Sequence, residues 1–188
     1  MKRTALGIVL VLLVLGTFNQ GCRRPNDPQR VTAIDSLIKV ADSLAQRLDA
    51  IDTTALTIMD STFEKQRDEL EALFKDTLQR DTALIAGNYY RAMNRSLNRA
   101  LNDRRGYRSA IEESRNKLRD LHKDASKGLW PDDQELAFYE QEKIILADLA
   151  KRTEIVERSL GTAQREWQNG HALVDTLLAR KRVVQQQP

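Results

Sequence analysis

A strongly basic stretch lies between two acidic ones, and this order of charge constrains the fold more than any other feature of the sequence. Residues 82–127 carry eleven Lys or Arg side chains and five Asp or Glu side chains. The net charge is −4 over residues 30–79 and −2 over residues 131–182. Because opposite charges attract at short range, the basic segment is expected to pack against both acidic segments.

A four-residue repeat inside the basic stretch places arginines at Arg91, Arg95 and Arg99. Residues four apart lie above one another on a helix, so the repeat predicts a row of arginines along one helix face. With short turns between the segments, this row is expected at the level of an acidic surface formed by Glu64, Asp68 and Glu71.

Helical periodicity and few helix-breaking residues predict an all-α fold. Apolar residues recur at steps of three and four through all three segments, which is typical of helices with one buried stripe. Three helices of similar length joined by short turns alternate in direction. We therefore expect an elongated antiparallel three-helix bundle, or coiled coil, over residues 30–182, followed by a frayed tail at 183–188. An open hairpin that completes its core by self-association is the alternative.

Capping signals predict where the helices end. Gly128 and Pro131 mark a turn between the second and third helices. The first helix is expected to end near residues 80–81, with Gly87 as the rival position for that turn. Asp52 could cap a new helix, but the apolar stripe continues in phase through it, so one continuous first helix is preferred. The stripes place in the core Ile58, Phe63, Leu84, Met93, Leu97 and Val156.

The middle of the central helix departs from its apolar stripe. Residues 104–108 hold three arginines and a glycine, so the core is expected to be polar or thin around Arg104 and Arg108. In the expected register, Arg104 lies level with Thr57 and Glu154. An exposed ion pair at this level would stabilise the fold by only about 0.2–1 kcal/mol, but mismatched charges would oppose wrong registers.

The N-terminal residues indicate a cellular location. Lys2 and Arg3 precede an apolar run of 14 residues that is followed by Asn19, Gln20 and Gly21-Cys22. This run is shorter than the roughly 20 residues that a spanning helix needs. The arrangement resembles the signal peptide and lipobox of bacterial lipoproteins.

That resemblance implies a signal peptide at residues 1–21, lipidation of Cys22 and a tether at residues 22–29. It also implies a protein of the cell envelope, anchored by lipid on the periplasmic side or in the outer membrane. Arg23, rather than Asp, follows the cysteine, which favours the outer membrane by analogy with the sorting rule of enteric bacteria.

The mature chain is expected to be nearly neutral. Removal of residues 1–21 would leave 28 basic and 27 acidic residues. The negative charge of the two acidic helices is expected to offset the positive charge of the basic helix. We therefore expect no nucleic-acid partner. The expected partners are the membrane, through the lipid anchor, and either another protein or a second copy of the chain.

No set of residues in the sequence indicates a reaction. His122 and His171 are the only histidines and are expected near opposite ends of the bundle, and neither a phosphate loop nor paired apolar carboxylates are present. We expect a non-enzymatic scaffold, adaptor or tether with no catalytic residue, cofactor, metal or small-molecule substrate. The alternatives are a periplasmic chaperone or envelope-stress sensor, and a secreted soluble coiled-coil protein.

Asp followed by Ser or Thr occurs seven times, each time before Leu, Thr or Ala. The pattern resembles the O-glycosylation sequon of exported Bacteroidota proteins. Helical periodicity alone would also produce it, because these residue types populate polar helix faces and caps, so both interpretations stay open. The candidate glycosylation sites are Ser36, Ser43, Thr53, Ser61, Thr77, Thr82 and Thr176.

Overall fold

The computed structural model describes residues 27–75, 78–129 and 131–186, which are helical apart from short caps and turns. These residues form no strand, so the all-α prediction is confirmed. Cys22 and the predicted signal peptide lie outside the described residues. The elements are α1 (Pro28–Asp49), α2 (Thr53–Leu73), α3 (Arg80–Arg91), a π-helical segment (Ala92–Leu97), α4 (Asn98–Ala125) and α5 (Asp132–Gln185).

The prediction of one continuous helix over residues 30–79 is wrong. α1 ends at Asp49, and the Asp52 carboxylate caps α2 by accepting hydrogen bonds from the backbone N–H groups of Thr54 (2.9 Å) and Ala55 (3.1 Å). These two donors have no partner within the helix, so the cap favours a new start. Ile51 is nevertheless buried, which is why the apolar stripe continues through the break.

The central segment is a single helical column, because α3, the π segment and α4 follow one another without a turn. α3 begins at Arg80, where the sequence predicts the turn, and the rival position at Gly87 lies inside α3. A π segment adds a residue to the usual helical turn. It therefore changes which residues face the core on either side of it.

The turn predicted between Gly128 and Pro131 is confirmed. Gly128 has a φ of 61° and its N–H donates to the Ala125 carbonyl at 3.0 Å, while the Leu129 N–H donates to the Asp124 carbonyl at 3.1 Å. This pair of bonds is a Schellman motif, and its left-handed residue is usually glycine because a side chain would be strained there.

Contacts between polar and charged side chains define the order in which the helices meet. The order is opposite along α1 and α4, where Asp35, Asp42 and Asp49 contact His122, Arg115 and Arg108. The order is the same along α1–α2 and α5, where Arg30 pairs with Asp132, Arg47 with Glu157 and Glu69 with Arg182. One connected apolar core extends along these contacts from Ile34 to Leu178.

Two of the predicted core positions are wrong, since Ile58 is 57% exposed and Leu84 is 59% exposed. The break at Asp52 restarts the helix in a different phase, so α2 buries Leu56 and Met59 instead. The other predicted core residues named above are buried: Phe63, Met93, Leu97 and Val156.

The predicted register holds at one end of the bundle and fails in its middle. The Tyr90 hydroxyl donates to the Glu71 carboxylate at 2.5 Å, in agreement with the predicted level of these residues. Arg104 instead contacts Leu48 and Asp49, rather than lying level with Thr57. The π segment and the non-helical residues 50–52 lie between the two places, and each shifts the register of regular helices.

Gly170 allows Tyr89 to pack directly on α5. Tyr89 is fully buried, and a Cβ added at Gly170 would lie 2.8 Å from the Tyr89 Cβ. We predict that Gly170→Ala lowers the free energy of unfolding by about 1–3 kcal/mol, as overpacking of a core does. Chemical denaturation followed by circular dichroism measures this change.

Gly161→Ala is the matched control on the same helix, because a Cβ there would meet no atom within 4 Å. It should stabilise the protein by about 0.5–1 kcal/mol, since alanine restricts the unfolded chain more than glycine does. Equal effects of the two substitutions would contradict the packing of Tyr89 on α5.

A second pair of substitutions tests the phase of the central helix. Leu97 is fully buried whereas Leu84 is 59% exposed. Leu97→Asp should unfold or dissociate the bundle because it buries an unpaired charge, and Leu84→Asp should leave helicity and melting temperature nearly unchanged. An unchanged melting temperature for Leu97→Asp would show that the assigned phase is wrong.

Candidate interaction surface

The polar layer predicted around Arg104 and Arg108 is built at the end of α1. The Arg104 Nε donates a 2.7 Å hydrogen bond to the Leu48 carbonyl. The Arg108 Nε donates to both carboxylate oxygens of Asp49, at 2.9 and 3.0 Å. The last carbonyls of a helix lack partners within it and attract cations. These two arginines therefore stabilise the helix end that the break creates.

The layer continues along α4 as a network of charges. Arg108 pairs with Glu112 at 3.0 Å, Glu112 also pairs with Arg115, and Arg115 reaches Asp42 at 3.1 Å. The hydrogen bond from Arg115, and to a smaller extent the one from Arg108, lowers the pKa of the Glu112 carboxylate. Ion pairs at this exposure contribute little stability individually, but they disfavour arrangements that leave their members unpaired.

The acids predicted to face the arginine row have other partners. Glu64 pairs with Arg67 at 2.9 Å on the same helix, and Glu71 accepts the hydrogen bond from Tyr90. The contact between Tyr90 and Glu71 agrees with the predicted level of this acidic surface, but no described ion pair joins Glu64, Asp68 or Glu71 to the arginine row.

The arginine row instead turns toward α5. Arg91 donates to the Asn88 side-chain oxygen at 2.6 Å, and neither Arg95 nor Arg99 forms an ion pair with any described residue. Arg95 lies in the π segment, whose angular spacing differs from that of an α-helix. A row extrapolated from regular α-helical spacing consequently points in the wrong direction.

Two open depressions of about 290 and 420 Å³ lie between the central column and α5, and both are lined by Ser96 and Thr162. We call them together the basic groove. Among its lining residues, Glu166 is the one acid, and it is paired with Arg165 at 2.9 Å. The cations of the basic groove are Arg91, Arg95, Arg99 and Arg158, and its hydroxyls belong to Ser96, Ser159 and Thr162.

A second feature is an aromatic cluster between α3 and α5. Trp167 stacks on His171 with ring centroids 4.0 Å apart, and Tyr89 contacts both rings. The Tyr89 hydroxyl donates to Gln66 at 3.1 Å, and Gln66 donates to Asp175 at 2.5 Å. Burial, and to a smaller extent the charge of Asp175, raises the pKa of Tyr89. The phenol thus stays protonated at neutral pH and acts in packing and hydrogen bonding.

The two histidines contact different carboxylates. His122 Nε2 lies 3.2 Å from Asp35 Oδ1, and His171 Nε2 lies 3.4 Å from Asp175 Oδ2. Over residues 27–75, 78–129 and 131–186, no group of three or more His, Cys, Asp or Glu side chains is arranged to hold a metal ion. None of the helices in these ranges has an apolar stretch long enough to cross a membrane.

The candidate glycosylation residues occupy mostly exposed helix positions. Thr77 lies outside the described residues and Thr82 is half-buried, while the exposed ones are Ser36, Ser43, Thr53, Ser61 and Thr176. Several of the preceding aspartates have structural roles: Asp35 and Asp42 pair with α4, Asp52 caps α2 and Asp175 accepts from Gln66. These roles account for four of the seven aspartates, and glycosylation of the hydroxyls stays a prediction.

A pocket of about 320 Å³ lies at the end of the bundle where α1 begins, lined in part by Ile34, Leu136 and Tyr139. Glu135 also lines it and is only 7% exposed. Burial raises the pKa of Glu135 more than the charge of Arg30 lowers it. A charged carboxylate here consequently costs folding free energy.

This burial predicts a pH dependence of stability. Because the pKa of Glu135 is higher in the folded protein than in the unfolded chain, the stability it contributes is present at low pH and is lost as pH rises through the folded pKa. Glu135→Gln should therefore raise the melting temperature at pH 7. The difference should fade as the pH approaches the unfolded value for Glu, about 4.3.

Asp133→Asn is the control, because Asp133 is an exposed acid in the same first turn of α5. It removes a similar favourable interaction with the helix dipole without changing a buried charge. If the two variants changed the melting temperature equally at every pH, the account of Glu135 would fail.

Comparison with protein-family models, with curated proteins and with solved structures finds no match to this chain.

Proposed function

We propose that this chain is a non-enzymatic, lipid-anchored protein of the bacterial cell envelope. In this proposal it forms an elongated antiparallel three-helix bundle that serves as a scaffold, adaptor or tether for a protein partner. The observation that carries the proposal is the connected core along three helical columns, namely α1 with α2, the central segment, and α5. A rod of this kind would hold its two ends apart. At about 1.5 Å per residue, the 54 residues of α5 would extend about 80 Å.

The order of the interhelical contacts supports the antiparallel arrangement. α4 meets α1 in reverse order through Asp42–Arg115 and Asp49–Arg108, whereas α5 meets α1 in the same order through Arg47–Glu157. Ser114 of α4 donates to Glu142 of α5, and Tyr107 lies against Arg152, so α4 and α5 also meet in reverse order. An up, down and up path of the three columns accounts for all of these contacts.

The anchor would fix which end of the rod faces the membrane. Cys22 precedes Asp27, the first described residue, by five positions, and an extended chain reaches at most about 3.3–3.6 Å per residue. Lipid on Cys22 would thus hold the start of α1 within about 20 Å of the bilayer. The other end of the rod, which holds the end of α2 and the end of α5, would point away from it.

The end away from the proposed anchor has exposed apolar side chains. Lys181 donates to the Ala72 carbonyl and Arg182 to Glu69, which places the end of α5 beside the end of α2. Scattered apolar residues are normal on a surface, but a group at one end suits partner binding and also favours the chaperone or stress-sensor alternative. The exposed residues in this region are Phe74, Leu84, Ile85, Val183 and Val184.

The intact mass of the full chain, extracted from the envelope of its native cell, tests the proposal. We predict a polypeptide that begins at Cys22 and carries added acyl mass, because the signal peptide would be removed and the cysteine lipidated. Hexose-sized increments would additionally identify glycosylation at the Asp-Ser and Asp-Thr sites.

Cys22→Ser is the control and should abolish both the acyl mass and extraction with the membrane fraction. A wild-type mass that retains Met1, or one that lacks residues 1–21 but has no lipid, would refute the lipid anchor. The latter result would favour the secreted coiled-coil alternative.

A further inference from the structure

The arginines of the basic groove differ from most interhelical arginines in lacking acidic partners. Five arginines elsewhere in the bundle lie within 3.1 Å of a carboxylate on another helix: Arg30, Arg47, Arg108, Arg115 and Arg182. Arg95, Arg99 and Arg158 have no carboxylate within 4 Å among the described residues. Intramolecular pairing, which explains the basic character of α4, therefore does not explain these three side chains.

Like charges face one another in the basic groove. Arg99 of α4 and Arg158 of α5 line the same depression, together with the hydroxyl residues Ser96, Ser159 and Thr162. Like charges close together repel. The Ser96 and Ser159 hydroxyls supply neutral donors beside them, whereas the Thr162 hydroxyl already donates to the Arg158 carbonyl at 3.0 Å. An anion placed in the groove would relieve the repulsion and accept hydrogen bonds from both helices.

Acidic residues lie beside and beyond the arginine row. Glu166, which is paired with Arg165, lines the same depression as Arg91 and Arg95. Beyond the row, Asp103 follows Arg99 by four positions and Glu154 precedes Arg158 by four. Arg91 and Arg99 are eight residues apart, so the basic stretch would extend about 12 Å at the α-helical rise of 1.5 Å per residue, and less where it passes through the π segment. This length suits two or three anionic groups in a line.

We infer that the basic groove binds an extended linear polymer of phosphate groups. Arginine presents a planar set of donors that matches phosphate oxygens, and the row repeats that set along the groove. The lining residues include no aromatic side chain on which a nucleic-acid base could stack. The groove is also concave and lies along the side of the helices, which suits a chain better than a flat lipid surface.

Fluorescently labelled inorganic polyphosphate is the probe for this inference. Its binding to the full chain, purified in an uncharged detergent, is measured by fluorescence anisotropy over a series of salt concentrations. The triple variant Arg95→Ala, Arg99→Ala and Arg158→Ala should bind about tenfold or more weakly. Its slope of log affinity against log salt should be smaller by about 2–3, since each lost phosphate contact removes about 0.7–0.9.

The matched control removes the same charge elsewhere through Arg80→Ala, Arg119→Ala and Arg180→Ala. These three arginines are exposed and form no ion pair with a described residue. The control should retain most of the affinity and the salt slope of the wild type, and circular dichroism verifies that both triple variants are folded.

Equal weakening in the two triple variants would overturn the inference, because binding would then follow net charge and not the groove. Polyphosphate binding that the groove variant retains would also overturn it. So would binding of a single-stranded oligonucleotide or of anionic lipid vesicles in place of polyphosphate. None of these results depends on the lipid anchor, since the mass of the chain tests that separately.

Discussion

The contact between the end of α1 and the middle of α4 is the constraint on which the rest of the structure depends. Asp35, Asp42 and Asp49 are spaced by seven residues, and so are their partners Arg108, Arg115 and His122. A slip of one heptad would therefore still form two of the three pairs. Arg104 removes this ambiguity, because its hydrogen bond to the Leu48 carbonyl requires the helix end that occurs at the break. The break and the arginine beside it thus select one register out of several that the apolar stripes would accept.

This constraint divides the arginines of the central column into two groups with different roles. Those of α4 near the break pair with α1 and hold the helices in register. Those in and beside the π segment face α5, where the lining side chains include arginine, serine and threonine, and where the one acid, Glu166, is paired with Arg165. The first group stabilises one arrangement of the chain, whereas the second leaves a positive surface that the fold does not neutralise. If the lipid anchor is present, the bundle would present this surface along its side, with exposed apolar residues both near the anchor, at Leu129 and Leu136, and at the other end, at Phe74 and Val184.

Part of this structure follows from the sequence because it depends on local signals. The all-α class follows from the spacing of the apolar residues, and the turn near Gly128 and Pro131 follows from capping chemistry. The lengths of the helices on either side of the turn predict that Tyr90 and Glu71 lie at the same height along the bundle. The break at Asp52 is harder to predict because Ile51 is buried beside it and apolar residues continue at helical spacing in the sequence, although α2 buries Leu56 and Met59 in a new phase. The sequence does show that Asp52 can cap a new helix. Whether the chain breaks there or continues as one helix depends on tertiary contacts, such as the hydrogen bond from Arg104, that the sequence does not reveal.

The direction of the arginine row could not be predicted from the sequence, because extrapolation assumed regular α-helical spacing and the π segment changes it. Tyr89 was missed as a core residue for a related reason. A weak signal for it exists in Gly170, since a glycine inside a long helix often has a packing role. Recognising that Gly170 faces Tyr89 requires the register between the two helices, which the sequence alone leaves undetermined.

Thiol cross-linking across α1 and α4 tests the central claim most directly, because it measures the register itself. In a Cys22→Ser background, the pair Asp42→Cys and Arg115→Cys replaces side chains that meet at 3.1 Å, and a short homobifunctional reagent should join them rapidly. The pair Asp42→Cys and Arg108→Cys is displaced by one heptad and should react slowly. Preferential cross-linking of the displaced pair, or equal reaction of both, would contradict a register fixed at the end of α1.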